Sequence, residues 1–165
     1  FSHGMEYLFD TNIFVESKKN LPMDIWPTFW GKMIELIRSG SIHSIDKVKE
    51  EIDKGGDELT EWIHRNAPRG FFLKQDLSVM TKMAETIAWA KNNPIGFSQS
   101  AISDYVNVAD SYLVATAAAK NMVLVTYEKS NPQRRNRVMI PDACKAIGVR
   151  SCDLNTALRE LGVLI

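Results

Sequence analysis

The chain predicts an α/β fold: a three-layer α/β/α sandwich around a central parallel sheet, with a helical insertion in its middle. Three observations carry that expectation. Short apolar runs alternate with segments of helical spacing along the whole chain. Two of the runs, Tyr7-Leu8-Phe9 and Met122 to Thr126, are almost continuously apolar, as in parallel strands covered on both faces. Between them, Asp110 to Lys120 is apolar nearly all round, which marks a helix buried in the body of the fold.

In chain order, residues 6 to 9 read as a short buried strand, and Asp24 to Arg38 as a helix with Ile25, Trp26, Phe29, Met33, Leu36 and Ile37 at helical spacing. Ile42 to Ile45 follows as a strand. Asp46 opens a helix to about Asp53, which Gly55-Gly56 ends. Residues 57 to 66 form a helix with Leu59, Trp62 and Ile63 inward, Phe71 to Leu73 a minor strand, and 77 to 91 a longer helix stopped by Asn92-Asn93-Pro94. Ser98 to Tyr105 is a helical turn ahead of the buried helix and of the Met122–Thr126 strand. Arg137 to Ile140 is a weaker strand candidate. Pro141 to Ile147 is a helix with proline in its first turn, Val149 to Cys152 a strand, and Leu154 to Leu161 a closing helix. There is no internal repeat and no linker-like stretch.

A length of 165 residues suits one domain with a substantial core, and 45% hydrophobic with 24% charged residues is a globular composition. Phe1-Ser2-His3-Gly4 ahead of Met5 reads as the remnant of an expression tag, so one domain over residues 5–165 is expected. Twenty acidic and twenty basic side chains cancel, so any attraction to nucleic acid needs a local basic patch. Cys144 and Cys152 are too few for a disulfide framework, and with His43 and His64 they offer no zinc-ligand spacing. No apolar stretch approaches the roughly 20 residues that cross a bilayer, and the start lacks the order of a secretory signal. A soluble, cytoplasmic protein without a membrane partner is the expectation.

Chemistry concentrates on four acids. Asp10 ends the first apolar strand and Glu128 follows the later one, equivalent places on two buried strands; in open parallel sheets the functional crevice lies outside such strand ends. Asp10-Thr11-Asn12 reads equally as a turn or a helix cap, and Glu128 alone as a surface residue. On the helix from Asp46, the stripe of Ile45, Val48 and Ile52 leaves Glu50 facing water and Glu51 at the border, able to look into a cleft. Asp110 stands in the first turn of the buried helix, where the macrodipole favours a negative charge or a plain cap. Asp104 ranks behind Asp110 because it does not open that helix, and Asp142 after Pro141 reads as a cap, with an accessory metal role as the alternative.

Taken together, Asp10 after an apolar strand, Glu51-Ile52, Ala109-Asp110-Ser111-Tyr112-Leu113-Val114-Ala115-Thr116-Ala117, and Val125-Thr126-Tyr127-Glu128 resemble the four acidic motifs of PIN-domain nucleases over nearly the whole chain. The resemblance is to the bacterial PIN-like proteins related to VapC toxins. It implies a metal-dependent ribonuclease, the toxin of a toxin–antitoxin pair. The acidic centre would be Asp10, Glu51, Asp110 and Glu128, with Asn12 and Thr126 as orienting groups. A small antitoxin partner and a homodimer are implied with it. Glu128 stands where that family more often has Asp, and the region from Asp57 to Gln99 is longer and more helical than in compact toxins.

Several carboxylates held close together raise one another's pKa values unless a cation joins them. Carboxylate and water oxygens suit Mg²⁺ or Mn²⁺. In that arrangement Asp10 is the shared ligand, Asp110 and Glu51 are ligands or water positioners, and Glu128 serves a second ion or acts through water. RNA must then be held beside an acidic pocket, and Lys129, Arg134, Arg135 and Arg137 follow directly on Glu128 as phosphate contacts, or as a merely solvated loop. Two other classes remain open. A haloacid-dehalogenase-type phosphotransferase also uses a strand-end Asp, but needs a second Asp where Asn12 stands. A catalytically silent binding module would keep the fold and have lost turnover, and Glu128 is the feature that allows it.

Overall fold

The structure is a computed structural model and describes residues 5–165; the four tag-like residues lie outside the described residues. Five strands, β1 (Tyr7–Phe9), β2 (Ile42–Ile45), β3 (Phe72–Leu73), β4 (Val123–Val125) and β5 (Ser151–Cys152), form one sheet in the order β3-β2-β1-β4-β5. Every pairing is parallel. Parallel neighbours cannot be joined by a tight turn, so helices fill each connection: α1 (Thr11–Asn20) and α2 (Pro27–Ser39), α3 (Asp46–Gly55) and α4 (Glu58–Asn66), α5 (Leu77–Asn92), α6 (Gln99–Asn107) and α7 (Ala109–Lys120), α8 (Ile140–Ala146), and finally α9 (Leu154–Glu160).

The strand order makes the sandwich. From β1 the chain steps outward to β2 and β3, then returns over the sheet to β4 on the other side of β1 and continues outward to β5. Crossovers of one hand that change direction place their helices on opposite faces. In agreement, α2 packs with α4 in one layer, whereas α5 lies along α7 and α7 against α8 in the other. The direction changes between β1 and β4, so the crevice beyond their carboxyl ends is the topological switch point where open α/β sheets hold ligands. At the opposite end, Tyr7 Oη donates to Glu160 Oε1 at 2.6 Å and Arg150 pairs with the same carboxylate, fastening α9 to the start of β1.

The core explains why these segments pair as they do. Leu8, Phe9, Leu124 and Val125 are wholly buried, and register sets Phe9 opposite Val125. Phe14 bridges Phe9 and Phe71 with ring centroids at 5.9 and 6.5 Å, and Trp30 meets Trp62 edge-on at 5.0 Å. The Ser44 hydroxyl, buried in β2, donates to the Phe9 carbonyl at 2.8 Å and leaves that strand end without an orphaned acceptor. Asn121 takes a left-handed conformation at φ 58° to end α7 and turn the chain into β4. No helix among the described residues is long and apolar enough to cross a membrane.

Two elements differ from the sequence reading. Thr11–Asn20 is a full helix where the sequence reading has only a turn or a helix cap at Asp10-Thr11-Asn12, and Asp10 stands at its N-cap position without a side-chain capping bond. The helix buries only Ile13, Phe14 and Ser17 and stops before Pro22, so its inward stripe holds two large apolar residues and a serine. Arg137 to Ile140 is not a strand. The Ile140 N–H goes to the Glu128 carboxylate instead of a neighbouring strand, and Ile140-Pro141 opens α8. The alternation of exposed Arg137, buried Val138 and buried Ile140 comes from the chain grazing the core on its way into that helix.

Candidate acidic centre

Strand register builds the site first. The Asp10 N–H donates to the Val125 carbonyl at 3.1 Å and the Thr126 N–H to the Cys152 carbonyl at 2.9 Å, so the residues just past β1 and β4 lie side by side. Asp10 is only 2% exposed, and the Thr126 hydroxyl donates to its Oδ2 at 2.8 Å. The same hydroxyl accepts the Glu128 N–H at 3.1 Å, which turns the chain after β4 back over the acid. Asp10 makes no side-chain cap on α1, so its burial is not accounted for by helix capping.

The two helical layers bring the other acids. Glu51 from α3 accepts from the Thr11 hydroxyl at 2.6 Å and, through its second oxygen, from the Ala109 N–H at 3.3 Å, bridging the starts of α1 and α7. That N–H is one of the orphan donors at the start of α7, so Glu51 supplies the cap that Val108 cannot. Asp110, one residue on, stands at the same helix end. Glu128 accepts from the Ile140 N–H at 2.9 Å and from Arg137 Nη2 at 2.6 Å, and Arg137 Nη2 lies 3.6 Å from Asp110 Oδ2. Asp10, Glu51, Asp110 and Glu128 thus converge over the switch point, with Arg137 reaching in.

Burial sets the electrostatics. It lifts the Asp10 carboxyl to about 6; the Thr126 hydroxyl works against the rise, while Glu128 and Glu51 add to it. Asp110 is pushed up to about 7, first by burial and then by Asp10 and Glu128, with Arg137 opposing. Both carboxyls are therefore raised towards neutrality, as burial beside like charges does. Thr126→Val, nearly isosteric, should cost about 1–3 kcal/mol, because a buried carboxylate loses its donor and the Glu128 N–H its acceptor. Urea denaturation at pH 7 measures this, and unchanged stability would show that the hydroxyl holds neither group.

Beside the acids lies a cleft of about 440 Å³ whose walls include Glu51, Asp104, Asp110, Arg134 and Arg137. Asp104 is an exposed wall residue here. Of the basic side chains expected to face RNA, Arg134 and Arg137 line this cleft. Arg135 turns its Nε to the Gly96 carbonyl at 3.3 Å, and Lys129 lines a separate groove of about 520 Å³ together with Glu128. Asn12 is exposed on α1, and the neighbouring Thr11 makes the hydrogen bond to an acid. Sequence reasoning passed over Thr11, whose only signal is its place directly after Asp10. It also read Asp142 as a cap. Asp142 instead accepts from the Ser130 hydroxyl and from the Asn131 N–H at 2.9 Å, pinning the basic loop to α8.

A family model described as a domain of unknown function (DUF4411) matches residues 7–165 of the chain. No curated protein matches it. Among solved structures, FitAcB from Neisseria gonorrhoeae is similar over 88% of this chain and 95% of that one, at 18% identity and a TM-score of 0.49.

Proposed function

This chain belongs to the DUF4411 family, whose description names no activity, and we therefore propose its function from the site: a divalent-metal-dependent nuclease that hydrolyses RNA phosphodiester bonds. The observation that carries the proposal is the convergence of Asp10 and Asp110, from distant parts of the chain, on the crevice beyond β1 and β4, where burial and neighbouring carboxylates raise both acids. The four-motif resemblance to PIN-domain nucleases agrees with it. On that resemblance the proposal extends to the toxin of a toxin–antitoxin pair, cytoplasmic and homodimeric, with a small antitoxin partner.

The donor set fits Mg²⁺ or Mn²⁺: every acid offers carboxylate oxygen, and a divalent charge offsets both the burial and the neighbouring charges that lift Asp10 and Asp110. Among the described residues no three His, Cys, Asp or Glu side chains already stand as a ready ligand group, because Glu51 and Glu128 are turned onto protein donors. Asp10 and Asp110 would hold the ion, with Glu51 and Glu128 acting through water or after exchanging partners. Bound there, the ion supplies an activated water and neutralises charge on the phosphate. The remaining chemistry belongs to the chain. Thr126 fixes Asp10, Thr11 and the Ala109 N–H fix Glu51, and Arg134 at the cleft wall meets the phosphate backbone.

A second reading, a catalytically silent binding module, is favoured by one feature: Arg137 already compensates Glu128 and Asp110 without any ion. The deciding experiment incubates structured and unstructured RNA with the purified protein in Mg²⁺, in Mn²⁺ or in chelator, beside Asp10→Asn. Cleavage that requires both the metal and Asp10 is the expected result. Intact RNA under every condition supports the silent module, and cleavage persisting in chelator overturns the metal requirement.

A further inference from the structure

The acidic centre contains a cation of its own. Arg137 Nη2 is 2.6 Å from Glu128 Oε2 and 3.6 Å from Asp110 Oδ2, whereas Arg134 bonds to Asn136 and Arg135 to the Gly96 carbonyl. We propose that the Arg137 guanidinium is the resident counter-ion of this centre and that a divalent ion held by Asp10 and Asp110 gains Glu128 as a further ligand only by displacing it. The proposal rests on the metal-dependent reading above.

Three observations support displacement over a fixed structural pair. Mg²⁺ holds its oxygen ligands at about 2.1 Å, closer than Arg137 Nη2 stands to Glu128 Oε2 or Asp110 Oδ2, so an ion shared by those two oxygens takes the place of the guanidinium nitrogen. The Arg137 side chain is 45% exposed, although its neighbour Val138 is buried, so the guanidinium can leave while the backbone stays anchored. The described chain between Val125 and Ile140 has no helix or strand, and it is fastened at Ser130, Asn131, Arg135 and Ile140 rather than at the Arg137 backbone. Once displaced, the guanidinium remains on the wall of the same cleft as Arg134, placed for a phosphate group. The centre thereby exchanges one cation for another, and the released arginine faces the substrate.

Two ligands that exclude each other weaken each other reciprocally, so deleting the internal one must tighten the external one. Mn²⁺ alone, titrated calorimetrically into the metal-free protein, provides the test. Arg137→Gln should bind Mn²⁺ about fivefold more tightly or better. Arg137→Lys, a point charge without the guanidinium fork, should fall between Arg137→Gln and the wild type, and it carries the test if Arg137→Gln does not fold. Lys91→Gln, which removes the same charge from the last turn of α5, should match the wild type. An arginine that merely braces the acids predicts the opposite, weaker binding in Arg137→Gln, and that result overturns the proposal. Equal tightening in Lys91→Gln also overturns it, by reducing the effect to net charge. If the wild type binds Mn²⁺ and Arg137→Gln binds no tighter, displacement fails while the nuclease reading stands; if neither protein binds Mn²⁺, both fail.

Discussion

Asp10→Asn should lower RNA cleavage roughly 10³-fold or more, the scale of loss when one essential group of an electrostatic site is removed, and should make the protein more stable at pH 8. The stability gain follows from linkage. The folded-state carboxyls of Asp10 and Asp110 titrate at about 6 and about 7, above their ordinary value near 4, so the folded protein binds these protons more tightly than the unfolded chain does. Their contribution is fully present below pH 4 and is lost as pH rises through 6 and 7. For Asp10 the loss is on the order of 2–3 kcal/mol, and Asn, which cannot ionise and still accepts from Thr126, avoids it. The difference in melting temperature between Asp10→Asn and the wild type should be small at pH 5 and grow to roughly 5 °C at pH 8. Asp110→Asn should behave alike, and because the Asp10 charge helps to raise Asp110, the double variant should gain less than the two single gains together. A wild type as stable as Asp10→Asn at pH 8 would mean that the acids do not strain the fold.

Phe14→Ala should be the most damaging core change that reaches the site. Phe14 is wholly buried and joins Phe9 at the end of β1 to Phe71 ahead of β3, so its loss opens a cavity under the first turn of α1. The expected cost is about 3–5 kcal/mol, or roughly 10 °C in melting temperature. Thr11, which holds Glu51, begins the same helix, so cleavage should also fall at temperatures where the variant is still folded. Leu77→Ala, at a position 84% exposed, should stay within about 0.5 kcal/mol of the wild type and leave cleavage alone. Equal stability losses in the two variants would argue against this packing of α1.

The strands that place Asp10 and Glu128 were legible because burial on both faces leaves a nearly continuous apolar run, as at Tyr7–Phe9 and Val123–Val125. The buried α7 was legible for the same reason. The first helix was not: Ile13, Phe14 and Ser17 make a stripe too narrow and too polar to stand out against Glu16, Lys18 and Lys19. At the centre, Asp10, Glu128 and Asp110 stood out by following an apolar strand or opening the buried helix, and Glu51 by its place at the border of the stripe on α3. Their hydrogen-bond partners did not, because Thr11, the Ala109 N–H and the Ile140 N–H depend on how three helices meet over the sheet. Arg137 shows the limit best. In sequence it is one of several basic residues in a polar loop, and only the turn that the Thr126 hydroxyl imposes on the Glu128 N–H brings it back among the carboxylates.

The strain on Asp10 and Asp110 also links stability to function. A site that folds with carboxylates raised in this way is less stable than its neutral variants and is ready to accept positive charge, which on the proposed function sets stability against activity. The most direct measurement is a Mn²⁺ titration followed by electron paramagnetic resonance, with the wild type beside Asp110→Asn at pH 7.5. Saturable loss of the free-ion signal in the wild type, abolished in Asp110→Asn, is the predicted result. Mn²⁺ left free by the wild type, or bound as tightly by Asp110→Asn, would contradict an acidic centre built to hold a divalent ion.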